Sequence, residues 1–199
     1  MPVEHHKRGW FLFIMTTKLS SGAVLPVNLP AGMIIAFKSE RLDLSANEGR
    51  PHAAHLDLYS IKQDIILRIS VRRGQNKVFF NDRAHKSLLD GWGEEKSVDL
   101  KLVDVERWQR SGVTISVHNC STADSEERYQ ILFDLTTVCY FDKRLLGHAR
   151  VVKSSDNRDA LSLSTSARFI SPLSDPLKVF TYKLEDLPLV ERKAILSGV

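Results

Sequence analysis

Cysteine is almost missing from this chain: Cys120 and Cys139 are the only two among 199 residues. Two thiols in a chain of this length do not make a disulfide framework; they read as ordinary reduced residues of a cytoplasmic protein. Long apolar runs are missing as well. The run from Trp10 to Met15, behind His5-His6-Lys7-Arg8, holds six residues, too few for a signal-peptide core or a bilayer span. It reads as the start of a first strand over residues 10–19. Of the seven histidines, none forms a pair with ligand spacing backed by cysteine or carboxylate. His5-His6 sits in the N-terminal extension and His52-x-x-His55 around a turn, so neither a metal nor a cofactor is expected. There is no phosphate-cradling glycine loop and no Ser-His-Asp grouping. Asp82, Asp90, Glu94 and Glu95 lie near one another in sequence, but nothing sets two of them across a scissile bond, and no enzyme activity is expected. Large net charge is absent too. A balance of +4 falls short of an argument for nucleic acid. Arg72-Arg73 and Arg107-Trp108-x-Arg110 mix basic and aromatic residues, but no nucleic-acid partner is expected of them.

What is present is a chain that is 43% hydrophobic, enough to bury a sizeable core. Period-two patterns dominate. Met33–Phe37, Arg41–Ser45, His55–Ser60, Lys96–Leu100, Val113–His118, residues 129–134 and 137–142, Ala167–Ile170 and Lys178–Tyr182 all read as short strands. Turn signals such as Ser20-Ser21-Gly22, Pro30-Ala31-Gly32 and Asn47–Pro51 separate them. Residues 101–111, with Trp108, fit neither pattern. Such spacing predicts an all-β sandwich of two antiparallel sheets. Asp186-Leu187-Pro188, followed by good helix formers to Leu196, predicts a short C-terminal helix. The expected division is an N-terminal extension over 1–9, a single domain over 10–185 and a tail over 186–199.

The most informative stretch is Ile65–Arg72 with the segments after it. Successive side chains of a strand point to opposite faces, so Leu67, Ile69 and Val71 face one way and Arg68, Ser70 and Arg72 the other. In Lys77–Asn81, Val78 and Phe80 share a face opposite Phe79 and Asn81. Two neighbouring strands therefore turn an apolar face to a core and a polar face to solvent. Trp92 and Glu95 arrive on the segment after them. Forked donors, an amide and a flat aromatic surface suit a polyhydroxylated ring.

Ser70, Arg72, Asn81, Trp92 and Glu95 together resemble the carbohydrate-binding motif of the galectins, most closely those of fungal fruiting bodies. That motif runs His-x-Asn/Ser-x-Arg, Val-x-Asn, then Trp-x-x-Glu-x-Arg on three successive strands. Here Arg68 stands where the family has histidine and Ser97 where it has arginine, and the spacing from Asn81 to Trp92 is longer. Tyr129–Asp134 and Tyr140–Arg144 extend the likeness, which covers roughly residues 10–185. The resemblance implies a galectin-like jelly roll, a non-catalytic lectin, glycans such as β-galactosides as partners, oligomers, and a part in fungal defence. It implies no signal peptide, and so a cytoplasmic protein.

Each site residue has a plainer alternative. Trp92 is either a platform for a sugar's apolar face or a core tryptophan, and its glycine neighbours Gly91 and Gly93 favour the exposed reading. Arg72 and Glu95 form either a pair that also bonds sugar hydroxyls or a solvated ion pair of little worth. Asn81 is a site amide or a turn residue. Arg68 either fills part of the pocket, reaches an acidic group of the ligand, or marks a site that no longer binds lactose-like sugars. In the last case the protein is an interaction module for a protein partner.

Overall fold

The computed structural model describes residues 17–45, 53–60, 64–84, 91–100, 105–121, 128–142, 160–165 and 173–197. Within them, strands and helices follow in this order: β1 (Thr17–Leu19), β2 (Val24–Asn28), β3 (Met33–Ser39), β4 (Ala53–Tyr59), β5 (Ile65–Arg72), β6 (Lys77–Arg83), β7 (Lys96–Asp99), α1 (Val105–Ser111), β8 (Val113–Asn119), β9 (Arg128–Phe133), β10 (Thr136–Asp142), β11 (Ala160–Thr165), β12 (Leu177–Lys183) and α2 (Leu189–Leu196). The strands form two six-stranded antiparallel sheets, ordered β1-β12-β3-β8-β9-β10 and β2-β11-β4-β5-β6-β7. The expected all-β sandwich is the fold observed.

Alternation explains how the sheets meet. From β5, Leu67, Ile69 and Val71 are buried, and from β6 Val78 and Phe80; across from them lie Ile35 and Phe37 of β3, Val113, Ile115 and Val117 of β8, and Ile131 and Phe133 of β9. One apolar face per strand, facing another sheet, is the packing that period-two sequence demands.

The outer faces differ. On the first sheet, Ile34 and Leu132 are covered by Leu187 and by Ile195 of α2. Gln130 ties the cover down: its Nε2 donates to the Ile195 carbonyl (2.8 Å) and to Thr137 Oγ1 (2.7 Å), while its Oε1 meets His118 Nδ1 at 3.0 Å. The tail thus caps the first sheet, and among the described residues no helix covers the second sheet's outer face in this way.

Several expectations are corrected. Arg41–Ser45 is not a strand: it makes only the isolated bridge Leu42–Leu173. Asp43 takes the backbone N–H and hydroxyl of Ser45 and is gripped by the Arg73 guanidinium, so local side-chain bonds replace a ladder. Residues 105–111 are helical, because Trp108 must turn inward; it packs on Phe133 and donates to Asp134 Oδ2 at 2.6 Å. Asp186 does not cap α2. It closes a 3-10 turn over Leu184–Asp186, and Pro188 holds the N-cap position. β2 and β11 are strands that the period reading passed over; β2 contains Pro26, tolerable because β2 is a sheet edge. Of the expected first strand only Thr17–Leu19 is described, and Asn47–Pro51 and Ala167–Ile170 lie outside the described residues.

Gly112 is one glycine whose conformation matters. Its φ of +75° favours glycine, and a Cβ there would run into the backbone of Ser39 and Glu40. Truncating the α2 anchor is expected to be costly as well: Ile195→Ala, at a side chain 1% exposed, should lower unfolding free energy by about 2–4 kcal/mol. A urea denaturation midpoint unchanged from the parent would show that α2 does not contribute to the core.

Candidate functional site

Register assembles the site on the outer face of the second sheet. Residues directly opposite in antiparallel strands share a face. One row crosses the sheet as His55, Ser70, Phe79 and Ser97; the next as Asp57, Arg68 and Asn81; a third as Ala53, Arg72, Lys77 and Asp99. The long connection after β6 is tied back to that strand. Arg83 bridges to Trp92, Ala84 N–H donates to Gly91 O (2.9 Å), and Gly93 N–H to Asp82 O (3.0 Å). Trp92 and Glu95 thereby come back alongside Asn81. An open cavity of about 240 Å³ results, lined by His55, Arg68, Ser70, Arg72, Phe79, Asn81, Trp92 and Glu95. All six residues singled out from the sequence line it, and Trp92 is half-buried rather than sealed in the core.

The charges in the cavity are paired. Arg68 makes a two-pronged bond to Asp57, Nε to Oδ1 at 2.7 Å and NH2 to Oδ2 at 2.6 Å, with Asp57 only 2% exposed. Tyr59 OH also reaches Asp57 Oδ2, at 3.3 Å. Burial works against the Arg68 charge, but the hydrogen bond and charge of Asp57 outweigh it and hold the guanidinium above its ordinary value. The same guanidinium lies 4.6 Å from the Trp92 ring centre, and that of Arg83 lies 5.3 Å from it. Arg72 rests 3.6 Å over the Phe79 ring and donates to Glu95 Oε2 at 2.5 Å. The Asn81 amide oxygen accepts the Asp82 N–H at 2.9 Å, so its NH2 is the end left to donate.

Two polar atoms of the cavity residues are buried with no partner: Ser70 Oγ and His55 Nδ1. A buried polar atom without a hydrogen bond costs about 1–3 kcal/mol, and here two such atoms belong to a directly opposed cross-strand pair. Burial pushes the His55 imidazole below its ordinary value, Arg68 and Arg72 add to this, and Asp57 opposes it. The ring is therefore neutral near pH 7.

The sequence reading missed His55, Asp57, Phe79 and Arg83 as neighbours of the site. It set His55 beside a turn; His55 is instead well inside β4. The signal was present, since His55, Asp57 and Tyr59 alternate with Leu56 and Leu58. What could not be read was which strand would lie beside β5. Ser97, which stands at a family arginine position, lies opposite Phe79 and does not line the cavity. Among the described residues no cluster of His, Cys, Asp or Glu is placed to hold a metal ion, and no helix is long and apolar enough to cross a membrane.

The fold is a galectin-type β-sandwich. The toad ovary galectin, solved with N-acetylgalactose, superposes with a TM-score of 0.53 at 16% identity, covering 82% of this chain and 99% of that one. Sheep galectin-11, solved with glycerol, gives 0.52 at 15% identity over the same shares. The sequence relatives are fungal: galectin-1 of Coprinopsis cinerea is 30% identical over 103 residues, 52% of this chain and 61% of the relative. Galectin-2 of the same species is 30% identical over 93 residues, 47% and 54% respectively. The chain thus spans about three fifths of the length of the first of these relatives. No family model matches it. About half of the chain is thus similar in sequence to fungal galectins, and its fold is similar to that of solved galectins.

The Asp57–Arg68 pair carries a stability prediction. Asp57→Asn should cost about 3 kcal/mol, the low end for breaking a buried pair because Arg68 keeps 22% exposure, and urea denaturation reads it. The histidines carry a second one. Burial also lowers the His118 value, against a smaller opposing effect of its bond to Gln130. Both folded values lie below the unfolded one, so the unfolded state takes up protons first. Stability should hold above about pH 6.5 and fall as pH drops below it. Thermal melts at pH 7.5 and 5.5 on the parent and on a His118→Gln variant check the sign; a parent more stable at the lower pH would contradict it.

Proposed function

We propose that this protein is a non-catalytic, glycan-binding lectin of the galectin type, with Arg68, Ser70, Arg72, Asn81, Trp92 and Glu95 as its binding residues. The observation that supports this most is their convergence, from β5, β6 and the segment before β7, on one open cavity of a sheet face. Trp92 is the platform for a sugar's apolar face. Arg72, held by Glu95 and Phe79, and the Asn81 amide bond the hydroxyls, and the Glu95 carboxylate accepts from them. The toad relative's bound sugar agrees with this class of ligand. Arg68 and Ser97, at the positions of a family histidine and arginine, move selectivity away from simple β-galactosides. An open site of this size binds one glycan weakly, so useful strength comes from several sites acting together in a homo-oligomer. A cytoplasmic protein of fungal defence is the role consistent with these features.

A second reading rests on one contact. The Arg68 guanidinium already lies over the Trp92 ring and occupies part of the surface on which a sugar would stack. If that contact is permanent, the face serves a protein partner instead of a glycan.

A glycan array run on the parent, Trp92→Ala and Arg68→His decides between the two. The lectin reading expects retention of specific glycans by the parent, binding about tenfold or more weaker in Trp92→Ala, and a gain of lactose binding in Arg68→His. A parent that retains no glycan, with nothing changed by Trp92→Ala, would exclude it.

A further inference from the structure

The two unpartnered atoms of the cavity belong to residues that the lectin reading leaves without a joint role. Ser70 is 2% exposed and its Oγ has no hydrogen bond; the same is true of Nδ1 on His55, its direct neighbour across β4 and β5. Side chains opposed in this way stand close enough for a single oxygen atom to touch both. The neutral imidazole presents one nitrogen that accepts, and the serine hydroxyl can donate or accept. A hydroxyl between them, donating to the imidazole and accepting from Ser70, would satisfy both atoms at once. The imidazole torsion is soft enough to turn toward such a group.

The surrounding charges indicate what kind of hydroxyl-bearing molecule this is. The charged groups around His55 are Asp57 on its own strand, Arg68 and Arg72 on β5, and Glu95 on the segment before β7. Each guanidinium is matched by a carboxylate, Arg68 by Asp57 and Arg72 by Glu95. The cavity therefore offers little uncompensated positive charge to an anion, while its unmet demand is for a neutral group that both donates and accepts.

We propose that His55 and Ser70 form a couple that reads one hydroxyl of an uncharged saccharide, and that this couple, with Arg68 committed to Asp57, sets the specificity of the cavity. The proposal rests on the lectin reading and adds two things to it: a residue from β4, and a neutral rather than sialylated, uronic or sulfated ligand. It also has a direct pH consequence. Protonating His55 removes the acceptor and adds a positive charge between two arginines, so binding weakens as pH falls below the ordinary imidazole value.

The test is binding of the parent, His55→Phe, His55→Gln and Ser70→Ala to an array holding neutral, sialylated, uronic and sulfated glycans. The best neutral glycan is then titrated by calorimetry at about pH 7.5 and 5.5, between the ordinary carboxylate and imidazole ranges at one end and above both at the other. Circular dichroism confirms that each variant is folded. His55→Phe and Ser70→Ala should each weaken binding about tenfold, the loss of one hydrogen bond. His55→Gln keeps an acceptor that does not titrate, so it should retain most of the affinity and lose the pH dependence. A parent that binds neutral glycans with an affinity unmoved by all three substitutions overturns the His55–Ser70 couple and leaves the lectin reading standing. A parent that retains only anionic glycans overturns the ligand class. A parent that retains no glycan overturns both readings together.

Discussion

The inward row of β5, Leu67, Ile69 and Val71, is what the rest of the molecule hangs on. Each is buried against the opposite sheet, and because strand side chains alternate, a slip of one residue would drive Arg68, Ser70 and Arg72 into the core. Burying guanidinium groups without partners would cost far more than the apolar contacts return. The register of β5 against β4 and β6 is pinned by that penalty, and the register in turn sets His55 opposite Ser70, Asp57 opposite Arg68 and Arg68 opposite Asn81. The cavity is thus a by-product of core packing on the other side of the same strands.

The two sheets differ in what their outer faces carry. The first sheet carries apolar side chains outward as well as inward, such as Ile34 and Leu132, and needs the cover of Leu187 and Ile195. The second sheet carries arginines, a serine and an amide outward, groups that stay hydrated or pair with one another. Asp134 contributes to the first sheet in a comparable way. At a φ of 47°, in the turn between β9 and β10, its carboxylate gathers the Trp108 indole, Arg107 and the Thr114 N–H. One acidic side chain anchors both α1 and the hairpin.

Within the cavity, charge pairing shapes what the face can do. An arginine at the position of the family histidine suggested either an anion-binding pocket or a lost site. Asp57 alters that choice, because a bidentate carboxylate neutralises Arg68 and holds it beside Trp92. The neighbouring strand brings the His55 imidazole to the same cavity, and burial with Arg68 and Arg72 lowers its value.

Alternation and turn chemistry made much of this legible in one dimension. The sandwich, the inward and outward rows of β5 and β6, and a short terminal helix follow from local periodicity, since a strand's faces are set by its own residues. The motif resemblance also picked out six residues that line one cavity. Other features depended on pairing between distant segments. Leu42 and Leu44 alternate like a strand, yet Asp43 bonds to Ser45 and Arg73 instead of joining a ladder. Residues 105–111 turn into a helix because Trp108 finds Phe133 and Asp134. His55 and Asp57 enter the site only because β4 lies beside β5. Periodicity belongs to a segment and can be read along it, but adjacency is a property of the packed whole, and the site's electrostatics come from adjacency.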